Sequence, residues 1–227
     1  MDFQSAFKKP FTDVKKLIIG IGIAGVASAI GKIGTIPSIS KIGIIVGTLA
    51  ILGLMINFLT TGFMLETAKM EMKKKKMLPE WTAWGDLFVK GLLAFVISAI
   101  YMLPMAIIGA IVARPLISST LSTGEISMVM SGGIMVLLLL GLLIVYIAPS
   151  AILHYIKDGK FGAAFQFGSV FKKAFKGQYF IALIVAMIYS IILGSILNIL
   201  PYVGSGFAGF ISGITMFSLL GEVFPKL

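Results

Sequence analysis

Three polar residues of the types used by hydrolases follow one another at helical spacing. Ser150, His154 and Asp158 are four residues apart, so a continuous helix would place them on one face. A serine beside a histidine that an acid orients is the arrangement of a nucleophile, its general base and a positioning group. Catalysis also needs a pocket and oxyanion donors, and Gly159 is typical of a helix end. We therefore interpret the three as a polar helix terminus and predict no enzyme, with a membrane serine hydrolase as an alternative.

Other reactive residue types are scarce. The chain has no cysteine and one histidine, which excludes thiol catalysis, thiolate metal sites and multi-histidine metal sites. No acidic residue lies deep in an apolar stretch, although ion-coupled pumps usually bury acids or histidines there. The sequence therefore predicts no catalytic residue, no cofactor and no metal site.

Two asparagines are the main polar side chains well inside the apolar stretches. Asn57 and Asn198 can form structural hydrogen bonds between helices, which we favour, or can line a path for a solute. Pro104 and Pro149 stand in Tyr-x-x-Pro settings and predict kinks late in their helices. Paired broken helices that gate a substrate are the alternative interpretation of the prolines.

These residues belong to a chain dominated by apolar stretches of about the length that spans a bilayer. Of its 227 residues 58% are hydrophobic and only 12% are charged, whereas soluble domains carry about 25% charged residues. The stretches lack the alternation of barrel strands, so each is predicted to be a helix. We predict an all-α, polytopic integral membrane bundle forming one domain over residues 1–227. Its six spans cover residues 17–36, 42–65, 87–112, 134–155, 180–200 and 203–224.

The basic residues alternate between the gaps. Sixteen of the nineteen lie before the first span, after the last span, or near the second and fourth gaps. Because cytoplasmic loops hold the positive excess, we predict a multi-pass protein of the cell membrane with both termini in the cytoplasm. The opposite side carries only Lys32, Lys41 and Arg114.

Two segments that precede spans resemble each other. Ser5-Ala-Phe-Lys-Lys-Pro-Phe11 matches Ser169-Val-Phe-Lys-Lys-Ala-Phe175, and each places phenylalanines about one helical turn apart beside lysines. Such short amphipathic helices suit the membrane interface, with Phe7 and Phe171 facing lipid and the lysines meeting anionic head groups. The run of Lys73, Lys74, Lys75 and Lys76 is predicted to be a solvated anchor at the same surface.

The segment after this run carries the most specific motif. Pro79 suits the first turn of a helix, and Trp81 and Trp84, three residues apart, would share a face at head-group depth. Leu78-Pro79-Glu80-Trp81, Asp86-Leu-Phe88, Gly91 and the Tyr101-to-Pro104 step resemble the central pattern of an uncharacterised, largely archaeal multispanning family, domain of unknown function 4013. The resemblance implies a membrane fold and assigns no active residue.

The function that these patterns favour is non-catalytic: a membrane protein that organises lipids or a membrane partner. The alternative is a facilitator for a small neutral or lipidic solute. Small residues at four-residue spacing, such as Gly43 and Gly47, allow close helix packing within the chain, a homo-oligomer or a protein partner. The basic residues follow the loops and form no nucleic-acid-binding module. The outer segment 114–133 is left open between a surface helix and a loop.

Overall fold

The computed structural model describes the backbone of residues 1–33, 36, 41–75, 77–123 and 128–227, and the side chains of these residues except 113–123 and 128–131. Helices account for most of these residues, joined by short turns. The α-helices are α1 (Phe3–Lys8), α2 (Val14–Ile33), α3 (Gly43–Met72), α4 (Trp84–Thr123), α5 (Met128–Asp158), α6 (Phe167–Ala174), α7 (Gly177–Leu197) and α8 (Gly204–Val223). Short 3₁₀ helices in the described part of the chain cover Lys9–Phe11, Phe161–Phe165 and Phe224–Lys226.

Six helices in the described part of the chain, α2, α3, α4, α5, α7 and α8, are long and apolar enough to cross a membrane. The predicted all-α multispanning fold is therefore confirmed, and the chain is a multi-pass membrane protein. Helices α2 and α7 begin and end three residues earlier than the predicted spans 17–36 and 180–200. Both helices start earlier because their first turn contains polar residues, and the apolar pattern used for the prediction begins only after that turn.

Helix α8 is the centre of the bundle. It packs against α7, α3, α2 and α1. Of the residues in its apolar stretch 72% are buried, whereas 6% of those in the apolar stretch of α4 are buried. Small residues allow these contacts: a Cβ at Gly213 would lie 2.3 Å from the sulfur of Met64, and one at Gly221 would lie 2.6 Å from the carbonyl oxygen of Ala68. These two glycines of α8 therefore serve packing within the chain.

Helices α3 and α4 touch backbone to backbone. A Cβ at Gly62 would lie 1.8 Å from the carbonyl oxygen of Leu87, and one at Gly91 would lie 1.9 Å from that of Phe58. No side chain fits either position, so the two glycines fix how closely the helices approach. This contact attaches the α4–α5 hairpin to the rest of the bundle.

The prolines lie inside helices that continue through them, Pro104 in α4 and Pro149 in α5. Helix α4 runs on to Thr123, and Gly132 and Gly133 lie within α5, so helical backbone occupies most of the segment 114–133 that the sequence left open. Residues 124–127 lie outside the described residues. The kinks at the two prolines stay a prediction.

Both termini lie at one end of the bundle. The N-terminal amino group lies 3.9 Å from a carboxylate oxygen of Glu222, at the end of α8. The loop between α3 and α4 and the segment between α5 and α7 meet this end, which we call the basic end. A shared end for both termini agrees with an even number of spans, and the side of the membrane that it faces stays a prediction.

Candidate functional site at the basic end

The lysines of the basic end divide into two sets. The first set turns inward: Lys9, Lys16 and Lys90 each form an ion pair with a carboxylate, and Lys173 binds a backbone carbonyl. The second set points outward from the bundle. Its exposed members are Lys8, Lys15, Lys73, Lys74, Lys75, Lys157, Lys160, Lys172, Lys176 and Lys226.

The most buried of the inward lysines is Lys9, with 2% of its surface exposed. Its ammonium group donates a hydrogen bond to a carboxylate oxygen of Glu71 on α3. The hydroxyl of Ser218 on α8 donates to the same oxygen over 3.2 Å. This network ties the N-terminal segment to both α3 and α8. It stabilises a charge that would otherwise be costly to bury.

Lys90 on α4 bridges two helices. Its ammonium group pairs with Glu66 of α3 at 2.7 Å and with Asp86, one turn earlier on its own helix. The pairing lies one residue before Gly91, beside the backbone contact of α3 and α4. It therefore strengthens the attachment of the α4–α5 hairpin at the basic end.

The loop that carries the motif Leu78-Pro79-Glu80-Trp81 packs against α2 and α3 at the basic end. The Trp81 ring stacks on Phe63 of α3, with centroids 4.2 Å apart and planes 13° apart. Its indole N–H donates to the carbonyl oxygen of Lys16 over 3.1 Å, and the Lys16 ammonium group donates to the carbonyl oxygen of Leu78 over 3.0 Å. Glu80 completes the tie, with its carboxylate 2.6 Å from the Lys16 ammonium group.

This arrangement corrects two predictions. Trp81 is 7% exposed and therefore does not face lipid, whereas Trp84 is 44% exposed. The two do not share a helical face, because α4 begins at Trp84 and Trp81 lies in the turn before it. Pro79 likewise lies buried in this loop and not in the first turn of a helix.

Helix α6 lies between α5 and α7 and has two distinct faces. Val170 and Ala174, one turn apart, are fully buried against the bundle. Phe167, Phe171 and Phe175, also one turn apart, are exposed, and the last two rings stack with centroids 6.2 Å apart. Lys172 and Lys176 lie beside these rings and are also exposed.

The buried face of α6 is anchored by hydrogen bonds to its backbone. The hydroxyl of Tyr146 donates to the carbonyl oxygen of Ala174, and that of Ser150 donates to the carbonyl oxygen of Val170 over 3.1 Å. The carbonyl of Ala164, in the 3₁₀ turn just before α6, accepts from the hydroxyl of Tyr101 over 2.7 Å. The two tyrosines of the Tyr-x-x-Pro settings thus hold the same segment in place.

Lys173 is the lysine of α6 that turns inward. Its ammonium group donates to the carbonyl oxygen of Phe224 over 2.8 Å and lies 4.0 Å from the centre of the Phe224 ring. Burial lowers the pKa of Lys173 from its ordinary value, because removal from water disfavours the charged form, and nearby Lys157 acts in the same direction. Lys173 therefore docks α6 onto the end of α8.

The N-terminal segment repeats this design. Ala6 is buried where Val170 is buried in the matching segment, and Lys9 turns inward as Lys173 does. Phe11 is 53% exposed and its counterpart Phe175 is 62% exposed. The sequence match between the two segments is therefore accompanied by a matching pattern of buried and exposed side chains.

Phe7 departs from the prediction that it faces lipid. Its ring is half-buried, with its centroid 4.9 Å from that of Tyr189 on α7. The physical reason is that α1 packs against α8 and brings its own face into the bundle. Phe171, in contrast, is exposed, and its contact with lipid stays a prediction. Lys73, Lys74 and Lys75 are exposed in the loop after α3, and Lys76 lies outside the described residues.

The serine, histidine and aspartate with helical spacing do not assemble as a triad. Ser150 and His154 are buried, and the serine hydroxyl is engaged with Val170. The Nδ1 of His154 lies 2.9 Å from the backbone carbonyl oxygen of Ser150, and its ring packs edge-on against Phe224. Asp158 is exposed at the end of α5. Ser150 and His154 thus have structural surroundings: the serine holds α6, and the histidine packs on Phe224 at the end of α8.

The two asparagines occupy different levels. Asn57 lies near the middle of α3, exposed, with its amide N–H donating to the carbonyl oxygen of Gly53 in the same helix over 3.0 Å. Asn198 lies just beyond the last residue of α7, in the tight turn before α8, where Tyr202 has a φ of 66°. The predicted mid-membrane position of Asn198 is therefore wrong, because α7 ends three residues earlier than the apolar pattern. Pro104 is exposed on α4 and Pro149 is half-buried on α5.

A family model described as Protein of unknown function (DUF4013) matches residues 45–202. The chain belongs to this family. No curated protein and no solved structure matches it. Several of the residues that suggested DUF4013 have structural contacts in this fold: Trp81 and Leu87 are buried, Gly91 contacts α3, and Tyr101 holds the segment before α6. The DUF4013 match thus confirms the resemblance found in the sequence.

Proposed function

We propose that this membrane protein has no catalytic role and organises anionic lipids around the basic end. The observation that carries the proposal is the repeated design of the two interfacial segments. Each docks on the bundle through a buried aliphatic residue and an inward lysine, and each leaves a phenylalanine and a lysine outside: Phe11 with Lys8, and Phe175 with Lys172.

The exposed side chains suit the boundary between acyl chains and head groups. Phenylalanines on one face of a short helix insert about 5–10 Å into this boundary, while neighbouring lysines meet lipid phosphates. Each lysine near an anionic surface contributes about 1 kcal/mol. Because the backbone of α6 is held by Tyr101, Tyr146 and Ser150, these side chains bind from a fixed position and lose little conformational freedom.

The basic end would then face the cytoplasm of the cell membrane, since anionic lipids and the positive-inside rule both favour that side. A facilitator remains the alternative, and Asn57 supports it as an exposed amide midway along α3. Asn198 does not, since it lies at the outer end of α7.

The proposal predicts that lysines of the interfacial segments, and not lysines in general, retain anionic lipid. We expect Lys172→Gln to weaken retention of phosphatidylglycerol about fivefold, which corresponds to the loss of about 1 kcal/mol. Native mass spectrometry of the protein released from mixed phosphatidylglycerol and phosphatidylcholine membranes measures this.

Lys41→Gln is the matched control, because it removes the same charge at the opposite end of the bundle. The control should retain lipid as the unaltered protein does. Equal losses in the two variants, or no loss in either, would contradict lipid organisation by the interfacial segments.

A further inference from the structure

A groove of about 230 Å³ opens between α3, α4 and α5, next to the contact of Gly91 with α3. It lies near the middle of α3, since Asn57 is close to the midpoint of that helix. The groove is formed by Leu54, Asn57, Phe58, Thr61, Gly91, Ala94, Phe95, Ser98 and Ile152.

Polar groups from two helices meet in this apolar setting. Asn57 uses its amide N–H within its own helix, and among the described residues its carboxamide oxygen accepts no hydrogen bond. The hydroxyl of Thr61, one turn further along α3, has no hydrogen bond to any described residue. Ser98 donates to the carbonyl of Ala94 over 2.9 Å and keeps its oxygen as an acceptor. The groove therefore offers a donor and several acceptors among its lining residues.

Hydrocarbon around a spanning helix cannot meet these groups. A charged ligand would meet no opposite charge, because no lysine, arginine or acid lines the groove. The remaining walls are apolar, and the rings of Phe58 and Phe95 lie 5.4 Å apart. The occupant must be apolar with one neutral hydrogen-bonding group.

We propose that the groove binds the hydroxyl end of a neutral, lipid-soluble alcohol. The alcohol O–H donates to the carboxamide oxygen of Asn57, and the Thr61 hydroxyl donates to the alcohol oxygen. The volume is below the roughly 300–1,000 Å³ of pockets that enclose a whole ligand, so the groove takes the polar end while the chain extends into the bilayer. This site is separate from the basic end and does not depend on the function proposed there.

Photolabelling of the full chain in phosphatidylcholine vesicles tests this site. The probe is a twelve-carbon primary alcohol with a diazirine near the hydroxyl, compared with the matching alkane diazirine. We expect the alcohol to label residues 54–61 and 91–98, identified by peptide mass spectrometry, and the alkane to label them weakly. Equal labelling by both probes would overturn the proposal and show that the groove holds only acyl chains.

Near-isosteric variants identify the groups that bind. Asn57→Leu and Thr61→Val should each lower labelling by the alcohol about threefold to tenfold, the range expected for one hydrogen bond within a membrane. Thr48→Val is the control, because Thr48 is exposed on the same helix with its hydroxyl bonded to the carbonyl of Ile44. Unchanged labelling in Thr61→Val, which keeps the shape of the side chain, would overturn the assignment even if Asn57→Leu folds poorly.

Discussion

Replacing Glu71 with leucine is expected to lower the free energy of unfolding by about 3–5 kcal/mol. The substitution leaves the ammonium group of Lys9 buried without its carboxylate and removes the acceptor of the Ser218 hydroxyl. Unfolding in mixed detergent micelles, followed by circular dichroism, measures the loss.

The pair Lys9→Met with Glu71→Leu should recover most of this loss, because replacing both partners removes the buried charge entirely. Lys226→Met provides the matched control, since Lys226 pairs with Glu222 at the surface and 55% of its side chain is exposed. Lys226→Met should lower the free energy of unfolding by no more than about 1 kcal/mol. If Glu71→Leu were no more destabilising than Lys226→Met, the N-terminal segment would not be docked as described.

Trp81→Ala is expected to cost about 3–5 kcal/mol, as for a large aromatic side chain removed from a packed interior. The change removes the stack on Phe63 and the hydrogen bond to the carbonyl of Lys16. Trp84→Ala is the matched control and should cost much less, because Trp84 is only partly buried. The same unfolding measurement compares them.

Fluorescence separates the two tryptophans, the only ones in the chain. In vesicles containing brominated lipid, the Trp84→Phe variant, which retains Trp81, should be quenched weakly. The Trp81→Phe variant, which retains Trp84, should be quenched strongly. The reverse order would restore the lipid-facing position that the sequence predicted for Trp81.

The spanning helices were predictable from the sequence because a bilayer imposes a long, uninterrupted apolar requirement. That signal marks where a helix enters hydrocarbon and not where it begins. Helices α2 and α7 therefore start three residues before the predicted spans. The displacement has a functional consequence, since Asn198 lies in the turn after α7 and not inside the spanning helix.

Whether an individual lysine is buried or exposed could not be predicted from the local sequence. Lys8 and Lys9 are adjacent and chemically identical, yet Lys8 is exposed and Lys9 is buried. The difference arises from Glu71, which lies 62 residues away and meets Lys9 only in the folded bundle. The sequence match between the two interfacial segments indicated that corresponding lysines have similar positions, and the second lysine of each pair, Lys9 and Lys173, does turn inward.

Trp81 was misplaced for a related reason. A three-residue spacing indicates a shared face only if both residues lie in one helix, and α4 begins at Trp84. Besides the neighbouring Trp84 ring, Trp81 contacts Phe63, Phe210 and the carbonyl of Lys16, which are distant in sequence. The DUF4013 pattern at Leu78 to Trp81 was a better indication of importance than the spacing, although it did not reveal a packing role.

The depth of α6 in the membrane tests lipid organisation at the basic end most directly. Because the chain has no cysteine, Phe171→Cys carries a single spin label, and Lys74→Cys provides a label in the loop after α3. Power saturation in vesicles containing phosphatidylglycerol compares collisions with oxygen and with a water-soluble nickel complex. The label at position 171 should favour oxygen, at the acyl boundary, while the label at position 74 favours nickel. Equal access of nickel to both labels would place α6 in water and contradict the proposed function.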